Sequence, residues 1–323
     1  MENFKDLLIA KNPNYSQQTL TTYLTSWKTM KNMFARENDD IDFLFNTKEV
    51  VDKLAEKYKS LNTLKTKLAV CVAIMRLIDE EKCMRYIEAY NAEIDKCSIE
   101  LNKLKVTHTK TEKMENSWIS KEEEAQIEIY LKSLLNKNYK CLTQNDLINL
   151  RNYVIFKLQN RISGRNELAH SQIIYSNPYS KTKPTYNNEN NYICLSQREK
   201  KVYYVMNVYK TAKTYGSKTI DLGSEYYELL KQYKNALKKI APKSNENNIM
   251  FYDNDCNTKL STNRFGVVYS TLGEIIGKKL STTVQRHIRA SETGLTIDQL
   301  QKIKENADIM NHSVETHLEY AVV

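Results

Sequence analysis

Tyr192-Ile-Cys-Leu195, Val202-Tyr-Tyr-Val-Met206 and Lys218-Thr-Ile-Asp-Leu222 follow one another within a short part of the chain, and their reading decides the fold class. Each is dense in β-branched and aromatic residues and is bounded by polar ones, the pattern of a short strand. Ile173-Ile-Tyr175, just upstream, reads the same way. The Asn- and Lys-rich stretch 177–191 reads as a loop. Lys210-Thr-Ala-Lys213-Thr-Tyr-Gly216-Ser reads as a β-turn region between two strands, with Gly216 supplying the turn. On either side of this region the hydrophobic period is helical. The expected class is mostly α with a small antiparallel β-sheet, an α+β chain.

Working outward, residues 120–170 are helical in pattern, with one helix over about 144–161. Ser120 and Glu123 have the spacing of a capping box at the start of this region. Beyond Leu222, Tyr226, Leu229, Leu230 and Tyr233 restore the helical period, and helices are expected over 261–278, 281–292 and 297–306. Toward the N-terminus, Leu20, Tyr23, Leu24, Trp27, Met30 and Phe34 form a helical stripe after Ser16. A polar break at Glu37-Asn-Asp-Asp40 follows, then Val50, Val51, Leu54 and Tyr58, a strongly apolar helix from Leu61 through Leu68, Val72, Met75 and Ile78, and a further helix over 80–104. Four or five short helices predict an N-terminal helical bundle. Residues 105–117 contain almost no large apolar side chain and read as a linker, so the expected domains are 1–104 and 118–323. No internal repeat is evident.

With 323 residues, 41% hydrophobic and 27% charged, the chain has material for two globular domains. Lysine and arginine outnumber aspartate and glutamate 48 to 39, and the net charge of +9 favours a polyanionic partner, either nucleic acid or an anionic membrane surface. The six cysteines are scattered without metal-ligand spacing, so no metal site is expected, and reduced thiols fit an intracellular protein. No apolar run approaches the roughly 18 residues that span a membrane, and the N-terminus has no signal-peptide core. A soluble intracellular chain is expected, with nucleus and cytoplasm not distinguished. The 22 tyrosines carry little weight one by one, so any tyrosine must be argued from position.

Four separated elements carry candidate chemistry. They are Ser163-Gly-Arg165-Asn-Glu167-Leu168 at the end of a helix, Lys210 in the turn region, Thr283-Val-Gln-Arg286-His287-Ile-Arg289 early in a late helix, and His312-Ser313 with Tyr320 eight residues after the histidine. Cleaving a phosphodiester with a side-chain hydroxyl calls for such a set. Two arginines can clamp the non-bridging oxygens. A lysine or histidine can protonate the leaving 5′ oxygen. A tyrosine can attack and conserve the bond energy as a phosphotyrosine.

These segments resemble the tyrosine recombinase (integrase) family, phage-integrase-like, of a virus or mobile element. Arg165 in Gly-Arg-Asn-Glu-Leu looks like its first catalytic arginine, with Glu167 as the acidic residue that follows. Tyr209-Lys210-Thr-Ala-Lys213 is similar to the hairpin bearing its catalytic lysine, Lys210 being the better match and Lys213 the reserve. Gln285-Arg286-His287-Ile288 looks like the second-arginine helix, and Met310-Asn-His312-Ser313 with Tyr320 resembles the closing motif. The resemblance implies a tyrosine-recombinase-like catalytic domain preceded by a core-binding domain that closes around double-stranded DNA. It also implies a 3′-phosphotyrosyl intermediate, no metal and no cofactor, and a homotetramer on two DNA sites. Lys28, Lys31, Lys65 and Lys67 of the bundle form a solvated face by default; on the resemblance, some of them contact DNA phosphates.

The family usually has histidine or lysine three residues before the second arginine, where this chain has Thr283. Threonine can hydrogen-bond a phosphate but cannot shuttle a proton near pH 7. Either Lys210 and His312 carry proton transfer, or His287 substitutes, or activity is reduced. Three residues follow Tyr320, so any link between protomers is expected from another element. Two rivals stay open: type IB topoisomerase-like DNA relaxation, and a DNA-binding protein with a decayed active site.

Overall fold

The computed structural model describes residues 2–34, 41–106, 110–136, 141–181, 187–241, 248–292, 296–309 and 314. The chain divides into two compact units, Met1–Thr109 and Lys110–Val323. It is mostly helical with one small four-stranded sheet, an α+β protein. No helix of the described residues is long and apolar enough to cross a membrane.

The first unit is a bundle of α1 (Glu2–Lys11), α2 (Gln17–Phe34), α3 (Thr47–Lys57), α4 (Leu61–Asp79) and α5 (Met84–Val106), with a 3₁₀ turn at Asp42–Phe45. Its centre is α4, capped by the Ser60 hydroxyl accepting from the Thr63 amide. Leu64, Leu68, Cys71, Val72 and Met75 of α4 recur at helical spacing and are buried with Trp27, Met30, Leu54, Ile87 and Tyr90. The Tyr90 hydroxyl donates to the Leu44 carbonyl at 2.9 Å, so the one polar atom of a buried ring is satisfied. The polar break at 37–40 lies outside the described residues. Helix α1 adds an element the sequence pattern did not predict: Leu8 is buried, but its neighbours Leu7 and Ile9 are exposed, so no clean stripe marks it.

The second unit opens with the one-turn helix α6 (Glu112–Glu115), inside the stretch expected as a linker, whose first two residues belong to α5. It continues with α7 (Lys121–Ser133), α8 (Gln144–Ile162), a 3₁₀ turn at Asn166–His170, β1 (Ser171–Tyr175), β2 (Asn191–Ser196) and β3 (Lys201–Met206). Then come α9 (Ala212–Tyr215), β4 (Lys218–Gly223), α10 (Tyr227–Ile240), α11 (Thr262–Thr271), a 3₁₀ turn at Glu274–Ile276, α12 (Thr282–Ser291) and α13 (Ile297–Ile309). The Ser120–Glu123 capping box forms at α7, and Thr143 with Asp146 makes a second one at α8.

The sheet is mixed rather than antiparallel. Its order is β1-β2-β3-β4; β2 pairs antiparallel with β3 and β3 with β4, but β1 pairs parallel with β2, Ser171 opposite Asn191. A parallel neighbour needs a crossover of about a dozen residues or more. The stretch 176–190 supplies that length, which is why a reading from strand spacing alone missed it. The outer edge of β1 is covered too: the Ile173 amide donates to the Asn248 carbonyl and the Met250 amide to the Ser171 carbonyl.

Two other expectations are corrected. Residues 210–217 hold the one-turn helix α9 before Gly216, which ends it at φ +65°, so the connection is not a simple β-turn. The helix expected over 261–278 stops at Thr271. A Cβ on Gly273 would lie 2.6 Å from the Lys278 carbonyl oxygen, and Gly277 sits at φ +69°; the chain folds back tightly there instead of continuing as helix.

Ile193, Leu195, Val202, Tyr204 and Leu222 turn one sheet face into the main core, with Phe156, Leu230, Tyr233, Phe251 and Phe265. The opposite face carries a smaller buried cluster of Ile174, Tyr192, Cys194, Tyr203 and Val205. Two buried cations tie helices to backbone. Arg151 of α8 donates to the Tyr252 carbonyl at 2.8 Å and to Asn254 Oδ1 at 3.0 Å. Lys234 of α10 donates to the Ile173 carbonyl at 2.5 Å.

Candidate active site

Helix α8 is buried along most of its length and ends abruptly. Ser163 takes the left-handed conformation (φ 49°, ψ 34°), its amide donating to the Gln159 carbonyl at 2.8 Å. The Gln159 side chain then holds the Gly164 carbonyl at 2.7 Å. The chain leaves this corner extended at Arg165 and enters the 3₁₀ turn, where the Asn166 amide group donates to the Thr262 carbonyl at the start of α11. Arg165 is exposed and has neither ion pair nor hydrogen bond among the described residues. Glu167 is half-buried and likewise has no hydrogen-bonding or ion-pair partner there.

Helix α12 starts at Ser281, whose hydroxyl accepts from the Val284 amide. Val284 and Gln285 are buried, Thr283 and His287 are exposed, and Arg286 lies between. The helix is fixed to the end of α8 by Arg289, whose Nη2 donates to the Asn160 carbonyl at 2.8 Å while Nη1 pairs with Glu292 at 2.6 Å. Arg286, one turn earlier, has no such commitment. Its Nη2 reaches Thr283 Oγ1 at 3.5 Å, and its Nε is buried with no partner. Arg165 follows Asn160 by five residues, and Arg286 precedes Arg289 by one turn of α12.

Lys210 lies in the connection from β3 to α9. Buried Asn191 clamps the backbone just before it, accepting from the Asn207 and Val208 amides at 2.9 and 2.8 Å and donating to the Val208 carbonyl at 2.8 Å. Lys210 lines a cleft of about 380 Å³ together with Glu167, His170, Glu189, Lys259 and Thr262. The fold thus brings Lys210 and Glu167 together. Lys213, on α9, is exposed and does not line this cleft. Sequence reasoning missed His170 and Lys259 here; burial and the charge of Lys259 hold the His170 imidazole below its ordinary value. A larger hollow of about 690 Å³ beside α6 and α11 contains none of the candidate residues.

His312 and Tyr320 lie outside the described residues, as does His317. In the first unit Lys28 is exposed, Lys31 sits 5.8 Å from the Trp27 ring centre, and Lys65 is half-buried. Lys67 donates to Ser26 Oγ at 3.0 Å and lies over the Tyr58 ring; burial, then the charge of Lys57, lowers its pKa. Among the described residues no three His, Cys, Asp or Glu side chains converge as a metal site. No protein-family model matches the chain, and no curated protein matches it in sequence.

Proposed function

We propose that the chain is a DNA strand-cleaving and rejoining enzyme, a site-specific recombinase or integrase acting through a 3′-phosphotyrosyl intermediate. One contrast carries the reading. Arg151, Arg264 and Arg289 of the same unit are tied by hydrogen bonds or ion pairs, whereas Arg165 and Lys210, like Arg161 and Arg198, have none among the described residues, and Arg286 keeps a buried Nε without a partner. Cations that make no ion pair suit an anion that arrives from outside.

On this reading Arg165 and Arg286 hold the non-bridging oxygens of a backbone phosphate. The Tyr320 oxygen attacks phosphorus as its phenolic proton passes to solvent, the bond to the 5′ oxygen breaks, and Lys210 gives the departing oxygen its proton. His312 assists at the phosphate. The 5′ hydroxyl of a partner strand then attacks the phosphotyrosine and releases Tyr320, so the bond energy is conserved and no nucleotide is consumed. Exchange between two duplexes cuts four strands, which implies four protomers. The biological role is integration, excision or resolution of a viral or mobile genome.

A nicked duplex that traps the covalent intermediate tests the proposal. The wild type forms an adduct and Tyr320→Phe does not; an adduct that survives this substitution overturns the nucleophile. Relaxation of supercoiled plasmid without two-site recombination points instead to topoisomerase-like action. Thr283, exposed and bonded only weakly to Arg286, favours a second reading, a DNA-binding protein without cleavage. That reading predicts salt-sensitive binding and no adduct.

A further inference from the structure

The cleft that holds Lys210 contains more cationic chemistry than one lysine supplies. His170, at the end of the 3₁₀ turn, and Lys259, two residues before the cap of α11, line it too. Neither makes an ion pair among the described residues. We propose that His170 and Lys259 join Lys210 in a binding site for a phosphodiester of the DNA backbone, with the imidazole taking up a proton as the phosphate arrives. For its ligand class the inference rests on the DNA reading above; for its geometry it stands on the cleft alone.

His170, Lys259 and Lys210 line the cleft together with the carboxylates of Glu167 and Glu189 and with Tyr209, whose hydroxyl donates to the Gly216 carbonyl. Burial and the Lys259 charge disfavour the imidazolium in the free protein. A phosphate between these groups offsets the Lys259 charge and accepts a hydrogen bond from the imidazole, which offers one N–H when neutral and two when protonated. Phosphate binding and proton binding are therefore linked, each strengthening the other. Glu167 and Glu189 limit the number of anions the cleft accepts, which favours a single diester charge over the two negative charges of a phosphate monoester.

The test follows the His170 imidazole by NMR through a pH titration of the full chain. Three samples are compared: the protein alone, with inorganic phosphate, and with a short duplex. The expected result is a His170 midpoint below the ordinary histidine value in the free protein, raised in the duplex complex. Duplex affinity is expected to weaken as pH rises through that midpoint, and His170→Gln flattens this dependence. Lys259→Met is expected to weaken duplex binding several-fold more than Lys231→Met, on α10 and outside the cleft. If the duplex binds but the His170 midpoint does not move, the proposal is overturned. If only inorganic phosphate moves it, DNA is the wrong ligand. The trapping assay stays separate: an adduct with an unmoved His170 sinks this site alone, and a moved His170 with no adduct sinks the cleavage mechanism alone.

Discussion

The side chain of Asn191 and the backbone of Val208 exchange a pair of hydrogen bonds, each 2.8 Å long. Asn191 also accepts from the Asn207 amide, and it is the residue opposite Ser171 in the parallel pair. One buried amide therefore joins strand order to the placement of Lys210, two residues beyond Val208. Leucine at this position would fill the space but leave backbone donors and an acceptor without partners.

Asn191→Ala is accordingly expected to destabilise the second unit by about 2 kcal/mol, the cost of stranding buried polar groups. Urea unfolding checks the stability. Faster amide exchange at Asn207 and Val208 checks the local origin. A destabilised protein with unchanged exchange at those two amides would place the defect elsewhere.

Arg286 and Arg289 sit one turn apart and should part company under substitution. Arg289→Met removes the bond to Asn160 and the Glu292 pair, and a loss of about 1 kcal/mol is expected, because both groups are partly exposed. Arg286→Met removes a partnerless buried Nε, so stability should stay within about 0.5 kcal/mol of wild type. On the proposed function the same variant loses roughly 100-fold or more in adduct formation. Denaturant midpoints and trapping rates measured on both proteins decide the matter; an Arg286 variant that is the less stable of the two contradicts it.

These residues also mark where the sequence stops being legible. The strand segments could be read because β-branched and aromatic residues crowd them, and the Ser120–Glu123 cap because its spacing is local. The parallel pairing of β1 could not, since it depends on the course of 176–190 and not on the strands themselves. The burial of Arg151 and Lys234 could not be read either, because a period of apolar residues cannot show that a cation has been drawn inward onto a carbonyl. Arg165, Lys210 and Arg286 were singled out by motif resemblance and spacing, and their roles remain part of the proposal. His170 and Lys259 belong to no local pattern and become visible only when the 3₁₀ turn, the β3–α9 connection and the approach to α11 meet at one cleft.

Lys234 should leave a signature in alkali. It is 7% exposed, lies over the Tyr175 ring, and has no carboxylate partner among the described residues. Burial, helped by Lys238, brings its pKa from 10.5 to about 8. Below that value both folded and unfolded chains are protonated, and folding bears the full cost of burying the charge. Between about 8 and 10.5 the folded state gives up its proton first, so this residue's contribution to stability rises with pH. The gain is at most about 3 kcal/mol, reached above the unfolded value. Unfolding free energies measured across this range should show an upward component that Lys234→Met abolishes. An identical pH profile in the variant would refute the assignment.

Lys210 offers the sharpest test of the proposed chemistry, because its suggested task can be bypassed. An alkoxide is a poor leaving group and needs a proton as it departs, whereas a thiolate leaves readily near neutral pH. Lys210→Met should therefore slow cleavage of an ordinary duplex by roughly 100- to 10,000-fold, the range for loss of a general acid. With sulfur replacing the bridging 5′ oxygen at the cleaved position, the variant should recover most of the wild-type rate. A lysine that merely binds the phosphate would be needed equally for both substrates, and no recovery would be seen. Arg286→Met supplies the internal contrast: it stabilises charge on the non-bridging oxygens, so the sulfur substrate should not rescue it. Rescue of both variants, or of neither, would remove Lys210 from the role of acid and return the question of the proton to His312 and to the His170 cleft.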